Sequence, residues 1–301
     1  MENIENVINK VDETSLAHSF YDACSDKEFK DFIDGLNIEE DILMKYTSSL
    51  EDAFSECKNC KKCKGLDTCK NENTGYVYTP NKMKNTISFS YDACEYEKER
   101  IKREAYKDNL DLFEMPLDIQ NATFKDLYKG SRGRIPILNY CKEFMTKYLK
   151  DERVKGIYLT GSFGSGKTYL IAALFNELAK KGVKSVSVYF PDFLTSLKSS
   201  FSTNFGERIN YIKKVPLLLL DDIGAENCSN WSRDEILGPI LQYRMDNHLP
   251  TFFTSNLTLE ELESALSITS SGVDKLKARR IIERIKQLTV TLELISESRR
   301  D

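Results

Sequence analysis

The chain of 301 residues lacks both a long apolar segment and an excess of positive charge. The apolar run Val215–Leu220 is interrupted by Pro216 and, like the other apolar runs of the chain, falls far short of the ~20 residues that span a bilayer. Residues 1–11 show no basic stretch followed by an apolar one, so we expect no signal peptide. These absences predict a cytoplasmic protein without a membrane partner.

The balance of charged residues further limits the classes of function that are possible. Lys and Arg number 43 against 47 Asp and Glu, a net charge of −4. This balance excludes an overall basic coat for nucleic acid and remains compatible with a local basic patch. Charged residues make up 30% and apolar residues 41% of the chain, a composition typical of a globular protein with room for about two domains.

Histidine is scarce, with two residues in the chain, and the eight cysteines are unevenly placed. Four of them form a cluster at Cys57, Cys60, Cys63 and Cys69, and the other four are scattered. In a reducing cytosol such a cluster predicts a metal site more often than disulfides. Tetrahedral Zn²⁺ takes four soft ligands, and a Cys-x2-Cys spacing supplies two from one turn. The alternative is a set of free thiols.

The pattern along the chain predicts three parts. Residues 1–107 form an N-terminal domain with a helical start and the cysteine cluster. Residues 108–134 contain Pro116, Gly130 and Gly133 and are typical of a linker. From residue 135 to residue 301, short apolar strands alternate with helices, which predicts an α/β domain with a mostly parallel sheet covered on both faces. The predicted strands lie at 157–160, 185–190, 217–220, 251–254 and 288–294.

The strongest chemical signal is the string Gly161-Ser-Phe-Gly-Ser-Gly-Lys-Thr168. It matches the P-loop pattern and stands between a predicted strand and a predicted helix, as a phosphate-binding loop requires. Backbone N–H groups and the helix N-terminus favour phosphate oxygens. Lys167 would reach the β- and γ-phosphates, and the Thr168 hydroxyl would bind Mg²⁺. The candidate nucleotide ligands are Gly161, Ser162, Phe163, Gly164, Ser165, Gly166, Lys167, Thr168 and Tyr169.

A second signal is the apolar run Leu217–Leu220 followed by two carboxylates. This is a Walker B pattern, and the carboxyl end of a parallel strand is where ligand sites form. Asp221 is the candidate Mg²⁺ ligand, and Asp222 is the candidate that polarises the attacking water. Asp222 reaches less far than Glu would, which predicts slow turnover. Glu226 is a weaker candidate for the same role.

Two further motifs are candidates for catalysis. Asn256 follows the next strand and could contact the γ-phosphate and the attacking water; the alternative is a helix N-cap. Arg280 and Arg284 stand four residues apart on one helix face. Either could act as an arginine finger on a neighbouring subunit's nucleotide. The alternative is a surface helix whose arginines pair with solvent or Glu283.

Together these motifs resemble the AAA+ ATPases of the initiator/loader branch. Asp221-Asp-Ile-Gly-Ala-Glu226, with Arg280-Ile-Ile-Glu-Arg-Ile285 downstream, is similar to the bacterial primosomal helicase loaders of the DnaI family. The segment Met115–Phe124 before the ATPase core extends the resemblance, which covers residues 55–301. It implies an AAA+ P-loop NTPase core with a small helical and zinc-binding N-terminal domain. It also implies ATP, Mg²⁺ and Zn²⁺ as cofactors.

The resemblance implies a function and partners that the spacing of the motifs alone cannot indicate. The family loads the replicative hexameric helicase onto single-stranded DNA in replication initiation or restart, and hydrolyses ATP to ADP and phosphate. We therefore expect the helicase, single-stranded DNA and other primosome proteins as partners, with ATP-dependent self-association. No DNA-contact residues are assigned, because the lysines near 180 and 213 fit a solvated face, and their neighbouring aromatics fit a core, better than either fits a groove for single-stranded DNA.

The family resemblance also suggests which residues are the zinc ligands. Cys60, Cys63 and Cys69 resemble three of the loader ligands, but the fourth in the family is a histidine soon after the last cysteine, and none stands there. Cys57 is the first candidate for the fourth ligand and Cys94 the second.

Three alternative functions stay open from the sequence. The first is a transposition-helper ATPase, which shares the AAA+ branch and normally lacks the zinc module. The second is an origin-reading initiator, which needs a helix-turn-helix domain after the core. The third is a nucleotide-gated adaptor that barely hydrolyses ATP.

Overall fold

The computed structural model describes residues 4–84, 86–127, 132–199, 205–270 and 272–295. The chain divides into two compact units, Met1–Ala105 and Tyr106–Asp301, called here the N-terminal and the C-terminal unit. Among the helices in the described ranges, none is long and apolar enough to cross a membrane.

The N-terminal unit packs helices against a two-stranded antiparallel sheet. Its elements are α1 (Ile4–Ala23), α2 (Lys27–Asp34), α3 (Glu40–Leu43), α4 (Thr47–Lys61), β1 (Tyr76–Lys82), β2 (Ile87–Ala93) and α5 (Glu95–Glu104). Asp26 caps α2, since its side chain accepts the backbone N–H groups of Glu28 and Phe29. Phe29 and Ile33, four residues apart on α2, lie buried in a core with Leu50 of α4.

The C-terminal unit is built on a six-stranded parallel sheet. Its strands are β3 (Leu110–Phe113), β4 (Gly156–Gly161), β5 (Ser185–Tyr189), β6 (Leu217–Asp221), β7 (Thr251–Ser255) and β10 (Thr289–Leu294). Their order across the sheet is β10-β4-β7-β6-β5-β3, and each neighbouring pair is parallel. This order places β7 between the P-loop strand β4 and the Walker B strand β6.

Helices cover both faces of this sheet. They are α6 (Phe124–Leu127), α7 (Ile135–Tyr148), α8 (Lys167–Ala179), α9 (Phe190–Ser199), α10 (Phe205–Lys214), α11 (Gly238–Asp246), α12 (Leu259–Ser267) and α13 (Lys275–Leu288). A π-helix, Trp231–Leu237, precedes α11. A short antiparallel hairpin of β8 (Ile268–Thr269) and β9 (Gly272–Val273) precedes α13. Alternate residues of β6 point to opposite faces. Leu217 and Leu219 join the core formed with α7 and α8, whereas Leu218 and Leu220 join the core formed with the later helices.

The segment predicted as a linker, 108–134, contributes to the sheet. Its strand β3 pairs with β5 at the edge. The strand has four residues and includes Asp111, so it is too short and too polar for the apolar pattern that identified the other strands. The boundary between the compact units falls at Ala105, before this strand.

A buried arginine joins the segments that enter the sheet. Arg244 of α11 is 0% exposed. Its guanidinium donates to Thr251 Oγ1 at 2.8 Å, and to the carbonyls of Val215 and Pro250 at 2.7 Å each. Three more carbonyls, of Ile212, Lys213 and Pro216, accept at 3.2–3.3 Å. Burial lowers the pKa of Arg244 to about 9. The residue therefore holds the amino ends of β6 and β7 together.

Candidate nucleotide-binding site

The loop between β4 and α8 has the backbone of a phosphate cradle. Gly164 and Gly166 adopt φ values of +69° and +90°, which residues with a Cβ rarely adopt. Gly166 is the residue immediately before α8, so the unbonded N–H groups of the first helical turn lie next to the loop. This geometry provides partial positive charge where a phosphate would bind.

Lys167 is held at the base of this loop. Its side chain is largely buried, and Nζ donates to the carbonyl oxygens of Gly161 at 2.9 Å and Ser162 at 3.0 Å. A third bond, of 2.6 Å, runs to Oδ1 of Asn256. The ammonium group therefore already has oxygen partners that a phosphate oxygen could replace.

Asp221, at the end of β6, receives two hydroxyl groups on one oxygen. Thr168 Oγ1 from α8 and Thr254 Oγ1 from β7 both donate to Asp221 Oδ1 at 2.6 Å. Burial raises the pKa of Asp221, and the two hydroxyl bonds oppose that rise. The Thr168 hydroxyl and the Asp221 carboxylate are oxygen ligands of the type that Mg²⁺ prefers, so the pair predicted from the sequence is adjacent and suits this ion.

Asp222 follows in an unusual conformation. Its φ is +56°, a left-handed value that Asp tolerates better than most residues. Its backbone N–H donates to Thr254 Oγ1 at 2.9 Å, and its Oδ1 accepts from Asn256 Nδ2 at 2.9 Å. Because Asn256 Oδ1 accepts from Lys167, a continuous chain of bonds links Lys167, Asn256 and Asp222.

A cleft of about 670 Å³ opens over these groups. Of the residues predicted from the sequence, it is lined by Phe163, Gly164, Gly166, Lys167, Thr168, Tyr169, Asp221, Asp222 and Asn256. Gly161, Ser162 and Ser165 belong to the same loop, and among the described residues they are not part of the lining. The P-loop, the Walker B carboxylates and the sensor candidate therefore converge on one cavity.

Sequence reasoning missed the remaining lining residues, which are Glu114, Pro116, Ile119, Tyr189, Asp192 and Thr254. Three of them come from the segment after β3, which the sequence predicted as a linker and, from Met115 on, as part of the family resemblance, without indicating a site residue. Thr254 stands two residues before Asn256, the sensor candidate that the sequence indicated. A polar residue directly after the apolar pair Phe252-Phe253 in a buried strand is the signal that could have identified it.

Glu226, the weaker candidate for polarising water, lies elsewhere. Its Oε2 accepts the backbone N–H of Gly224 at 2.8 Å, and among the described residues it does not line the cleft. Burial raises its pKa. Asp222 is thus the better placed of the two carboxylates.

The two arginine-finger candidates face another pocket. Arg280 is exposed and Arg284 is half-buried on α13, and Arg284 Nε donates to Gln242 Oε1 at 2.9 Å. Both line a pocket of about 440 Å³ between α11 and α13, together with Lys277 and Asp234. In the described part of the chain, neither lines the nucleotide cleft.

The cysteine region lies in the N-terminal unit. Cys57 and Cys60 are both on α4, and Cys63 and Cys69 follow in the next turns. Within the described ranges, no three Cys, His, Asp or Glu side chains form a group that could hold a metal ion. The sequence prediction of a zinc site is therefore not reproduced as a preformed set of ligands.

The surroundings of these thiols are nevertheless ordered by hydrogen bonds. Asn71 Nδ2 donates to Cys60 Sγ at 3.4 Å, and the Gly75 N–H donates to Cys69 Sγ at 3.5 Å. The N–H of Cys94 donates to the Gly75 carbonyl at 2.8 Å. Cys94 is therefore tied to the same short segment as Cys69.

Comparison with known proteins indicates the family of the chain. Residues 146–300 match the model of the IstB-like ATP binding protein family. Over 267 residues the chain is 34% identical to the replicative helicase loader DnaI of Bacillus subtilis (strain 168), covering 87% of this chain and 85% of that protein. The chain belongs to the DnaI family of IstB-like ATP binding proteins. The DnaI alignment is longer than the whole C-terminal unit, so the family relationship includes residues of the N-terminal unit.

Two solved structures share the fold. A crystal structure of DnaI is 44% identical, with a TM-score of 0.58, over 65% of this chain and 99% of that chain. A putative primosome component from Streptococcus pyogenes serotype M3 is 34% identical, with a TM-score of 0.56, over 66% of this chain and all of that chain. The family match supports ATP binding by this chain.

Proposed function

We propose that the protein is an ATP-dependent loader that places the replicative hexameric DNA helicase on single-stranded DNA in replication initiation or restart. The observation that carries this proposal is the 34% identity to a replicative helicase loader over 87% of the chain. The relationship spans both units, which favours a loader over a transposition helper that shares only the ATPase part. We place this activity in the cytoplasm, where the primosome works.

ATP would occupy the cleft above the P-loop. Lys167 would exchange its bond to Asn256 for the β- and γ-phosphate oxygens. Thr168 and Asp221 would hold Mg²⁺, which offsets the negative charge of the phosphates when bound. The exchange at Lys167 would release Asn256, so the amide is free to report whether a γ-phosphate is present.

Hydrolysis would use the two residues at the end of that chain of bonds. A water molecule attacks the γ-phosphorus, the bond to the β-phosphate oxygen breaks, and ADP and phosphate leave. Asp222 would accept hydrogen bonds from the attacking water and orient it, and Asn256 would hold both the water and Asp222. The short side chain of Asp222 supports slow turnover.

The arginine finger would come from a second copy of the chain. Arg280 and Arg284 lie on a pocket separate from the cleft of their own chain, and an arginine stabilises developing charge only when it reaches the phosphates. ATP-dependent self-association would bring one of them to a neighbouring nucleotide.

The proposal also includes a zinc ion bound by cysteines in the N-terminal unit. Cys60, Cys63 and Cys69 are the first three ligands, and Cys94 is favoured over Cys57 as the fourth because Gly75 ties it to Cys69. The N–H donors to two of the sulfurs are contacts typical of metal-bound thiolates. Elemental analysis of the purified protein should find one zinc per chain, retained in Cys24→Ser and Cys57→Ser and lost in Cys94→Ser. Zinc retained in Cys94→Ser and lost in Cys57→Ser would reverse the assignment.

The test of the loader proposal is native mass spectrometry of the protein mixed with the replicative helicase from the same cell, with and without ATP and Mg²⁺. A discrete complex is expected, and adding single-stranded DNA should give a ternary species. Lys167→Ala should weaken the ATP dependence, whereas Lys181→Ala, which removes an exposed lysine after α8, should not. The absence of a complex with both partners folded would contradict the loader proposal.

One observation favours a second candidate, a nucleotide-gated adaptor. Asp222 is engaged by Asn256 and is shorter than the Glu that many ATPases use. Such an adaptor would bind ATP with normal affinity and release almost no phosphate, also in the presence of helicase and DNA. Parallel measurement of binding and turnover separates it from a working ATPase.

A further inference from the structure

Thr254 holds both Walker B aspartates through a single oxygen atom. The residue is 1% exposed near the end of β7. Its Oγ1 donates to Asp221 Oδ1 at 2.6 Å and accepts the backbone N–H of Asp222 at 2.9 Å. A hydroxyl group has one proton to donate, and a backbone N–H can only donate. The directions of the two bonds are therefore fixed.

The first bond acts on the magnesium ligand. Asp221 Oδ1 also receives the Thr168 hydroxyl at 2.6 Å, so Thr254 on β7 and Thr168 on α8 together orient this carboxylate oxygen. Groups that orient a metal ligand contribute strongly to metal affinity. Since Thr254 belongs to β7 and Asp221 to β6, the register between the two strands sets this contact.

The second bond acts on the residue that orients water. Asp222 has a φ of +56°, a conformation that persists only where its surroundings hold it. The Thr254 hydroxyl accepts the N–H of this residue, and the Thr254 carbonyl accepts the N–H of Ile223 at 3.0 Å. Thr254 thus contacts the turn on both sides of the Asp222 side chain.

We propose that Thr254 is a positioning residue that couples Mg²⁺ binding at Asp221 to the placement of Asp222. The proposal rests on the proposed nucleotide site and assigns no contact between Thr254 and the reacting atoms. The part that matters is the hydroxyl group, because a methyl group can neither donate to the carboxylate nor accept the N–H.

The experiment compares variants with and without that hydroxyl. Thr254→Val keeps the shape and loses the oxygen, and Thr254→Ser keeps the oxygen. Thr251→Val is the matched control, because Thr251 is an equally buried threonine at the other end of β7 whose hydroxyl bonds Arg244. Binding of a fluorescent ATP analogue is titrated against Mg²⁺ and repeated in EDTA, and phosphate release is measured separately.

Thr254→Val should need about 10–100-fold more Mg²⁺ for the same analogue binding, with binding in EDTA unchanged and turnover reduced. Thr254→Ser should have the same Mg²⁺ requirement and turnover as the unmodified protein. Thr251→Val should lose thermal stability without changing the Mg²⁺ requirement. An unchanged Mg²⁺ requirement in Thr254→Val would overturn the proposal, as would equal loss in Thr254→Val and Thr254→Ser.

Two further outcomes are covered by the design. If Thr254→Val does not fold, Thr254→Ala and Thr254→Ser give the same comparison at a smaller side-chain volume, with the same expected and contradicting results. If the unmodified protein itself binds no ATP analogue with Mg²⁺, the proposed nucleotide function fails together with this inference. Normal binding by the unmodified protein and no effect at Thr254 would overturn the Thr254 role alone.

Discussion

A basic side chain is buried at each end of the strands of the central sheet, and the two side chains have different surroundings. The amino ends of the strands are called here the amino edge, and the carboxyl ends the carboxyl edge. At the amino edge, Arg244 is fully enclosed and donates to five backbone carbonyls and one hydroxyl. At the carboxyl edge, Lys167 faces a cleft of about 670 Å³ and shares its proton donors between two carbonyls and the side chain of Asn256. A buried charge with a complete set of fixed acceptors stabilises the fold, whereas one with an exchangeable acceptor beside a cavity is ready for a ligand.

The sharpest test of this contrast removes the enclosed charge. Arg244→Leu should lower the free energy of unfolding by about 3–5 kcal/mol, because several buried carbonyls lose their donors. Urea denaturation checks this value, and the folded protein should still bind ATP with normal affinity. Arg244→Lys should recover part of the loss. A loss below about 1 kcal/mol would show that the amino edge does not depend on this side chain.

A substitution at the other edge should affect chemistry and leave stability alone. Asp222→Asn should reduce phosphate release at least about 100-fold, a typical value for the loss of a catalytic base, while ATP binding is retained. Asn also tolerates the left-handed backbone, so the turn should keep its shape. Asp192→Asn is the control, since Asp192 lines the same cleft. Equal losses in both variants would assign the effect to the charge of the cleft and not to Asp222.

The smallest effect is expected at Glu226, which does not line the cleft among the described residues. Burial raises the pKa of Glu226 in the folded protein, so its ionisation disfavours folding. Its contribution to stability is therefore lost as pH rises from the unfolded pKa through the raised folded pKa. Glu226→Gln should make stability less dependent on pH in this window and should raise stability at neutral pH. Turnover should be unchanged, and a loss comparable to that of Asp222→Asn would return Glu226 to the catalytic candidates.

Much of the C-terminal unit could be predicted because its signals are local. The strands at 157–160, 217–220 and 251–254 were found from short apolar runs, and the structure has β4, β6 and β7 there. A parallel sheet buries its strands on both faces, so their sequences are almost continuously apolar. The P-loop and the two aspartates follow such strands directly, which is why the candidate site was predicted at one sheet edge.

The parts that could not be predicted depend on contacts between distant segments. Glu114 and Pro116 reach the cleft only because β3 pairs with β5, and no local pattern of four residues encodes that pairing. Thr254 is a polar residue in a buried strand, and its role depends on the register of β7 against β6.

The left-handed backbone at Asp222 also constrains how this site can change over evolutionary time. Short polar side chains such as Asp and Asn bond locally in this conformation, which is costly for most other residues. A single exchange of Asp for Glu would add the reach that favours faster turnover, and it would place a longer side chain on a backbone that disfavours it. Under the proposed role of Asp222, a lineage that gains faster turnover must therefore alter the turn and the carboxylate together.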